Sequence, residues 1–242
     1  MSNTNKLIAG TFLDALPGDI PSQNWGPKEW AAQFDVMAEM GMDTLAIIRC
    51  MTMQQAVYPS KVAEKPLVHD DPAELFFTLA DERNMKIFMG TYDTFDHWYR
   101  NDWRAEVDAC RPFLDEARAR YLEYMFEETG GGIDYAAFMD GHCHFKDLKA
   151  FVEATAEVCA RFGVEFWGNV ETFDRDMPWR FPPIAWVKLK FKLEVQAPFV
   201  KKFITFEAPH FLSPYSMFPS ARCLYDRYCE HYLGRDMPPR LA

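Results

Sequence analysis

Thr44-Leu45-Ala46-Ile47-Ile48 is an unbroken apolar run. A run without alternation is expected of a strand covered on both faces, the pattern of a parallel sheet flanked by helices. Outward from it, short runs of this kind alternate with longer stretches of helical spacing. Leu7 to Leu13 reads as a strand that ends at Asp14. Pro27 opens a helix through Glu39, with Trp30, Phe34 and Met37 at helical spacing and a stop at Gly41. Beyond Ile48 come a long loop, Met51 to His69, a helix from about Pro72 to Arg83 and a strand over Lys86 to Tyr92. Trp103 to Glu128 is expected as one long helix, and Gly130-Gly131-Gly132 breaks it before a strand at Tyr135 to Met139. Phe145 to Phe162 reads as helix, Val164 to Val170 and Phe203 to Phe206 as strands, and Ala221 to Leu233 as a closing helix.

Alternation of this kind predicts a parallel α/β architecture. No linker or low-complexity stretch divides the chain, so residues 1–242 are read as a single domain. One segment is ambiguous. Val187 to Val195 alternates apolar and polar residues without a break, which by period alone is a strand. Its Lys and Leu content, and its place between two strands of a β/α series, favour a crossover helix.

The chain carries 26 Lys and Arg against 36 Asp and Glu, a formal net charge of −10. That balance argues against a nucleic-acid partner, which needs clustered basic residues. No stretch approaches the ~20 apolar residues that a membrane span requires. The apolar segment Leu7 to Leu13 is too short for the core of a signal peptide, and the six cysteines form no C-x-x-C pair. The expectation is a cytoplasmic protein with reduced thiols. Aromatic residues make up 16%, including 21 Phe, 10 Tyr and 7 Trp. This fits either a large aromatic core or a site whose walls stack on sugar rings.

In parallel α/β folds, chemistry sits where the strands end. The polar residues there are Asp14, Arg49, Tyr92, Asp93, Asp140, His142, His144, Asn169, Glu171, Glu207 and His210. A lone carboxylate at such a position is usually solvated or capping. Repeated at one rim, carboxylates push one another's proton affinities apart and supply both an acid and a base.

Several of these segments resemble a known family. Gly10-Thr11-Phe12-Leu13-Asp14 with Glu29-Trp30 carries the weaker part of the likeness. Gly168-Asn169-Val170-Glu171-Thr172-Phe173 and Ile204 to Pro214, with its Phe206-Glu207-Ala208-Pro209-His210 core, carry the stronger part. Together they are similar to a glycoside-hydrolase-like TIM-barrel family called domain of unknown function 4434. Tyr58-Pro59-Ser60 and Ala80 to Lys86 also fit. The resemblance implies a (β/α) TIM-like barrel, with Phe138 to Gly141 like the sixth strand of the family, Glu171 ending the seventh and Glu207 the eighth. Only 40 residues separate Tyr92 from Ile133. The fourth and fifth units therefore have no room, and a reduced barrel of about six β/α units is expected. An unclosed sheet leaves an exposed strand edge, so a homodimer is expected.

Three functions follow as expectations. The first is a glycosidase-like hydrolase acting on a carbohydrate or glycoside, which needs two carboxyl groups at one bond. Glu171 is the candidate nucleophile or base, and Glu207 or Asp140 the acid. Asn169 is placed to bond a substrate hydroxyl, and Trp25, Trp98, Trp167 and Trp179 to stack on a sugar. Asp14, Tyr92, Asp93, His142, His144 and His210 are further candidate substrate contacts. Arg49 fits either an anionic group on the substrate, such as a uronate, or a salt bridge at the rim.

The second is a metal-dependent sugar isomerase, epimerase or lyase, with His142 and His144 of the Asp140-Gly141-His142-Cys143-His144 segment as ligands. The lone H-x-H pair is a weak motif, so no cofactor is favoured, with a divalent metal as the alternative. The third is a non-catalytic carbohydrate-binding protein on an eroded barrel. No G-x-G-x-x-G, P-loop or G-x-S-x-G motif occurs.

Overall fold

Parallel strands are joined by crossovers, usually helical, because a tight turn can only reverse the chain. Short apolar strands spaced by helices therefore build a sheet with a helical layer against it. The structure, a computed structural model, describes residues 6–14, 21–48, 55, 57, 59, 66–67, 70–89, 134–141, 143–175 and 182–238. Its strands are β1 (Ile8–Leu13), β2 (Thr44–Ile47), β3 (Lys86–Met89), β4 (Tyr135–Met139), β5 (Glu165–Glu171) and β6 (Lys202–Phe206). They run parallel in one sheet, in the order β3-β2-β1-β6-β5-β4. The first and last strands are neighbours at its centre. The sheet is a curled half-barrel, the reduced (β/α) barrel that the sequence leads one to expect.

The helices are α1 (Pro27–Glu39), α2 (Pro72–Asp81), α3 (Leu148–Phe162), α4 (Trp186–Gln196), the short α5 (Ala208–Phe211) and α6 (Pro219–Leu233). A 3-10 turn, Pro21–Asn24, precedes α1. Local chemistry fixes several ends. The Gly26 amide donates to the Glu29 carboxylate (3.0 Å) ahead of Pro27, and the Asp71 carboxylate accepts the Glu74 amide at 3.1 Å. Gly163 closes α3 at φ +70°, a conformation that costs glycine nothing. The long helix expected over 103–128 and the Gly130–Gly132 break lie outside the described residues.

The ambiguous segment is helix α4. Its buried residues, Leu189, Lys192, Leu193 and Gln196, recur at helical spacing, and two of them are polar. Hydropathy alone therefore hides the stripe.

Register sorts side chains onto two faces. Val170, Thr205, Thr11, Leu45 and Ile87 form one row and face the helices. Ile8, Leu13, Phe34, Leu45, Ile47 and Phe76 are wholly buried in the core on this side. Tyr228 of α6 joins them, its hydroxyl accepting the Ile8 amide at 2.7 Å. On the concave face, the ring of Phe88 in β3 meets those of Tyr135 in β4 (6.3 Å) and Trp167 in β5 (6.4 Å). No helix among the described residues is long and apolar enough to cross a membrane.

Candidate active site

Strand alternation places Asn169 and Glu171 on the same concave face as Trp167. Glu171 is the last residue of β5, and its carboxylate is wholly inaccessible. Arg175, four residues on, grips it with both arms of the guanidinium: Nε donates to Oε2 at 2.6 Å and Nη2 to Oε1 at 2.5 Å. Such a two-point bond fixes orientation as well as charge. The guanidinium also lies over the Phe173 ring at 5.0 Å.

The carboxylate occupies the space beside Gly141. A Cβ there would fall 1.4 Å from Glu171 Oε2. Asn169 is 2% exposed, and its Oδ1 is a buried acceptor without a hydrogen-bond partner among the described residues. Buried polar atoms are nearly always satisfied, so this oxygen stands ready for a donor.

Glu207 follows β6, and the Phe206–Glu207 peptide is cis. Its carboxylate is 1% exposed and accepts the amide of Asp14, itself buried at the end of β1, at 3.1 Å. Glu207 and Asp14 thus meet where the first and last strands end. Carboxylates are almost never this buried without partners, and here two of them cap adjacent strands.

Asp140 stands apart from these groups. One residue past Met139, it lies on the opposite face of the sheet, toward α4. Its Oδ1 accepts from Lys192 Nζ (2.8 Å) and from the Glu171 amide (3.0 Å), and Oδ2 accepts from Gln196 Nε2 (2.8 Å). Burial pushes the Asp140 carboxyl above its usual range, and the Lys192 ammonium pulls the other way. Lys192 also donates to the Glu171 carbonyl at 3.3 Å.

The remaining candidates are dispersed. Trp25 packs edge-on against Trp30 of α1, with ring centroids 5.1 Å apart. Trp167 lies two residues before Asn169 in β5, with its Nε1 bonded to Glu165 (2.7 Å) and Lys202 Nζ 5.1 Å over its ring. His144 is exposed in the turn ahead of α3. His210 stacks against Phe211 (4.3 Å) and Phe218 (5.3 Å), whose rings also stack on each other (6.3 Å). Arg49, Tyr92, Asp93, Trp98, His142 and Trp179 lie outside the described residues. Among the described residues, no group of three or more His, Cys, Asp or Glu side chains converges in a way that could hold a metal ion.

Sequence reasoning does not single out Arg175, Lys192 or Gln196. The signals are faint: an arginine four residues past a strand-end glutamate, and polar residues inside the apolar stripe of a helix.

Comparison with solved structures places this geometry among known folds. A provisionally named alpha-L-fucosidase from Bacteroides thetaiotaomicron VPI-5482 is 29% identical, with a TM-score of 0.80 over 95% of this chain and 96% of that one. The two chains are nearly coextensive. The GH113 beta-mannanase AaManA from Alicyclobacillus acidocaldarius, solved in complex with ManMIm, is 10% identical, with a TM-score of 0.51 over 96% of this chain and 98% of that one. At that identity the likeness is one of fold. No curated protein matches the chain. The family described as Domain of unknown function (DUF4434) matches residues 8–128 and 112–218, and the chain belongs to it.

Proposed function

We propose that the protein is a glycoside hydrolase acting on a carbohydrate or glycoside, with Glu171 as nucleophile or base and Glu207 as acid. The observation that carries this reading is the Glu171 carboxylate, buried at the end of a barrel strand and held by two guanidinium bonds. Glycoside hydrolysis needs such a carboxylate on one side of the scissile bond and a second carboxyl to protonate the leaving oxygen. Glu207 ends the adjacent strand and supplies that second group. The open acceptor of Asn169 suits a ring hydroxyl beside the bond. The names of the two solved structures, a fucosidase and a mannanase, support a sugar as the substrate class. Asp140 is left out of the chemistry in this reading, since Lys192 and Gln196 hold its carboxylate behind the sheet.

The test is a panel of fluorogenic glycosides that includes an α-L-fucoside and a β-mannoside, assayed with the wild type and Glu171→Gln. Turnover is expected in the wild type and not in the variant. The substituted amide keeps one acceptor toward Arg175 but turns its NH2 toward the other guanidinium arm, so the variant should still fold with a stability loss of about 1–3 kcal/mol. Undiminished turnover in the variant would remove Glu171 from the mechanism. A large fall in stability would make it a structural residue. Sugar binding by the wild type without hydrolysis of any glycoside would favour the carbohydrate-binding reading instead.

A further inference from the structure

The Asp140–Lys192 ion pair has no part in the reaction proposed above, yet it is among the most buried polar groupings in the molecule. Asp140 is 1% and Lys192 5% exposed. A buried ion pair gains little over apolar side chains of similar volume, so stability alone does not account for it. What an apolar pair cannot supply is direction.

Asp140 Oδ1 takes the Glu171 amide at 3.0 Å, and Lys192 Nζ, 2.8 Å from that same oxygen, reaches the Glu171 carbonyl at 3.3 Å. Gln196, one helical turn along α4 from Lys192, locks the other carboxylate oxygen at 2.8 Å. Both peptide groups flanking the Glu171 Cα are thus tied from behind the sheet, while Arg175 ties the side chain in front. Asp140 also precedes Gly141, whose missing side chain leaves the space that the Glu171 carboxylate fills. One short stretch, bonded to one helix, sets the backbone of Glu171 and makes room for its carboxylate.

We infer that Lys192 is a positioning residue for Glu171, acting through Asp140 and through the Glu171 carbonyl. The inference rests on the reading of Glu171 as the carboxylate that works on a sugar. Reacting groups tolerate little displacement, and an error of about 1 Å costs on the order of 100-fold in rate.

Removing Lys192 alone would strand the Asp140 charge and endanger folding. The informative variant is therefore the apolar pair Asp140→Leu/Lys192→Met, assayed on whichever fluorogenic glycoside the wild type hydrolyses. The variant should still fold, its thermal midpoint lowered by about 10 °C or less for the Glu171 amide and Gln196 left unpaired, while kcat falls by roughly 10- to 100-fold and KM stays within about threefold. Asp140→Asn/Lys192→Gln, which keeps an acceptor for the Glu171 amide and a donor for its carbonyl without stranding a charge, should retain most of the rate. Wild-type kcat in a folded apolar variant would overturn the inference, as would a loss confined to KM.

If the wild type hydrolyses nothing in the panel, the glycosidase reading fails on that result alone. The positioning role is then decided by a crystal structure of the apolar variant. A Glu171 carboxylate displaced from Arg175 supports it, and one still bonded to Arg175 beside Gly141 overturns it.

Discussion

Gly141 shows how closely the site is fitted around one carboxylate. A Cβ there would sit 1.4 Å from Glu171 Oε2 and 2.6 Å from Arg175 Nε. Gly141→Ala should expel the carboxylate from its bonds with Arg175 at a cost of about 1–3 kcal/mol, typical of overpacking. Turnover should fall toward that of Glu171→Gln in a protein that still unfolds cooperatively; full activity would show that the glutamate has another productive position. At this scale the sequence is only partly legible. Glu171 and Glu207 can be read because a charged residue ending an apolar run is conspicuous. Asp140 reads the same way, yet its carboxylate turns toward the opposite face. That distinction depends on register, which pairs Met139 with Asn169 and appears only when the strands are aligned. Arg175 and Lys192 escape notice because each acquires its role from a partner in space.

Among the elements, α1 and β4 match their expected limits, Pro27–Glu39 and Tyr135–Met139. Each has plain punctuation: a proline and a glycine around the helix, and a polar residue ending the strand. The α4 helix is harder to read because Lys192 and Gln196 occupy buried positions where an apolar residue would have marked the stripe. The Pro21–Asn24 turn and α5 are too short to show a period. At the centre of the sheet, Gly10 lies where β1 meets both neighbours. A Cβ there would come 2.8 Å from the Thr44 carbonyl oxygen and 2.9 Å from the Ile204 side chain. A backbone oxygen in a strand cannot step aside as a flexible side chain can. Gly10→Ala should therefore lower stability by about 1–3 kcal/mol, measurable as a reduced denaturant midpoint. An unchanged midpoint would mean that β1 can slide against β2.

Across the whole molecule, α6 brings three tyrosines into the helical layer. Burial raises Tyr225, Tyr228 and Tyr232 above the ordinary tyrosine value of 10.0, with Tyr232 at about 12. Burial also raises the Cys159 thiol from 9.0 to about 11. The folded state holds these protons after the unfolded chain has released them. Their contribution is thus intact below about pH 9 and falls as pH rises through about 12. Thermal midpoints over that window should decline while phenolate absorbance lags behind that of the denatured protein. Complete ionisation of the phenols near pH 10 in folded protein would contradict this.

The two edge strands, β3 and β4, each pair with a single neighbour among the described residues. We propose that the protein self-associates as a dimer, to be checked by light scattering; a monomer at every concentration would defeat this.

The central position of β1 and β6 also bears on how the chain folds. Thr11 pairs with Thr205, residues from opposite ends of the sequence, whereas β1 with β2 and β3, and β4 with β5 and β6, form two sets of pairs closer in sequence. Each half can assemble through short loop closures, but the seam between them must wait for the longest one. The carboxylates of Asp14 and Glu207 sit at that seam. The candidate site would thus be completed only when the two halves dock, across the pairing of greatest sequence separation in the sheet.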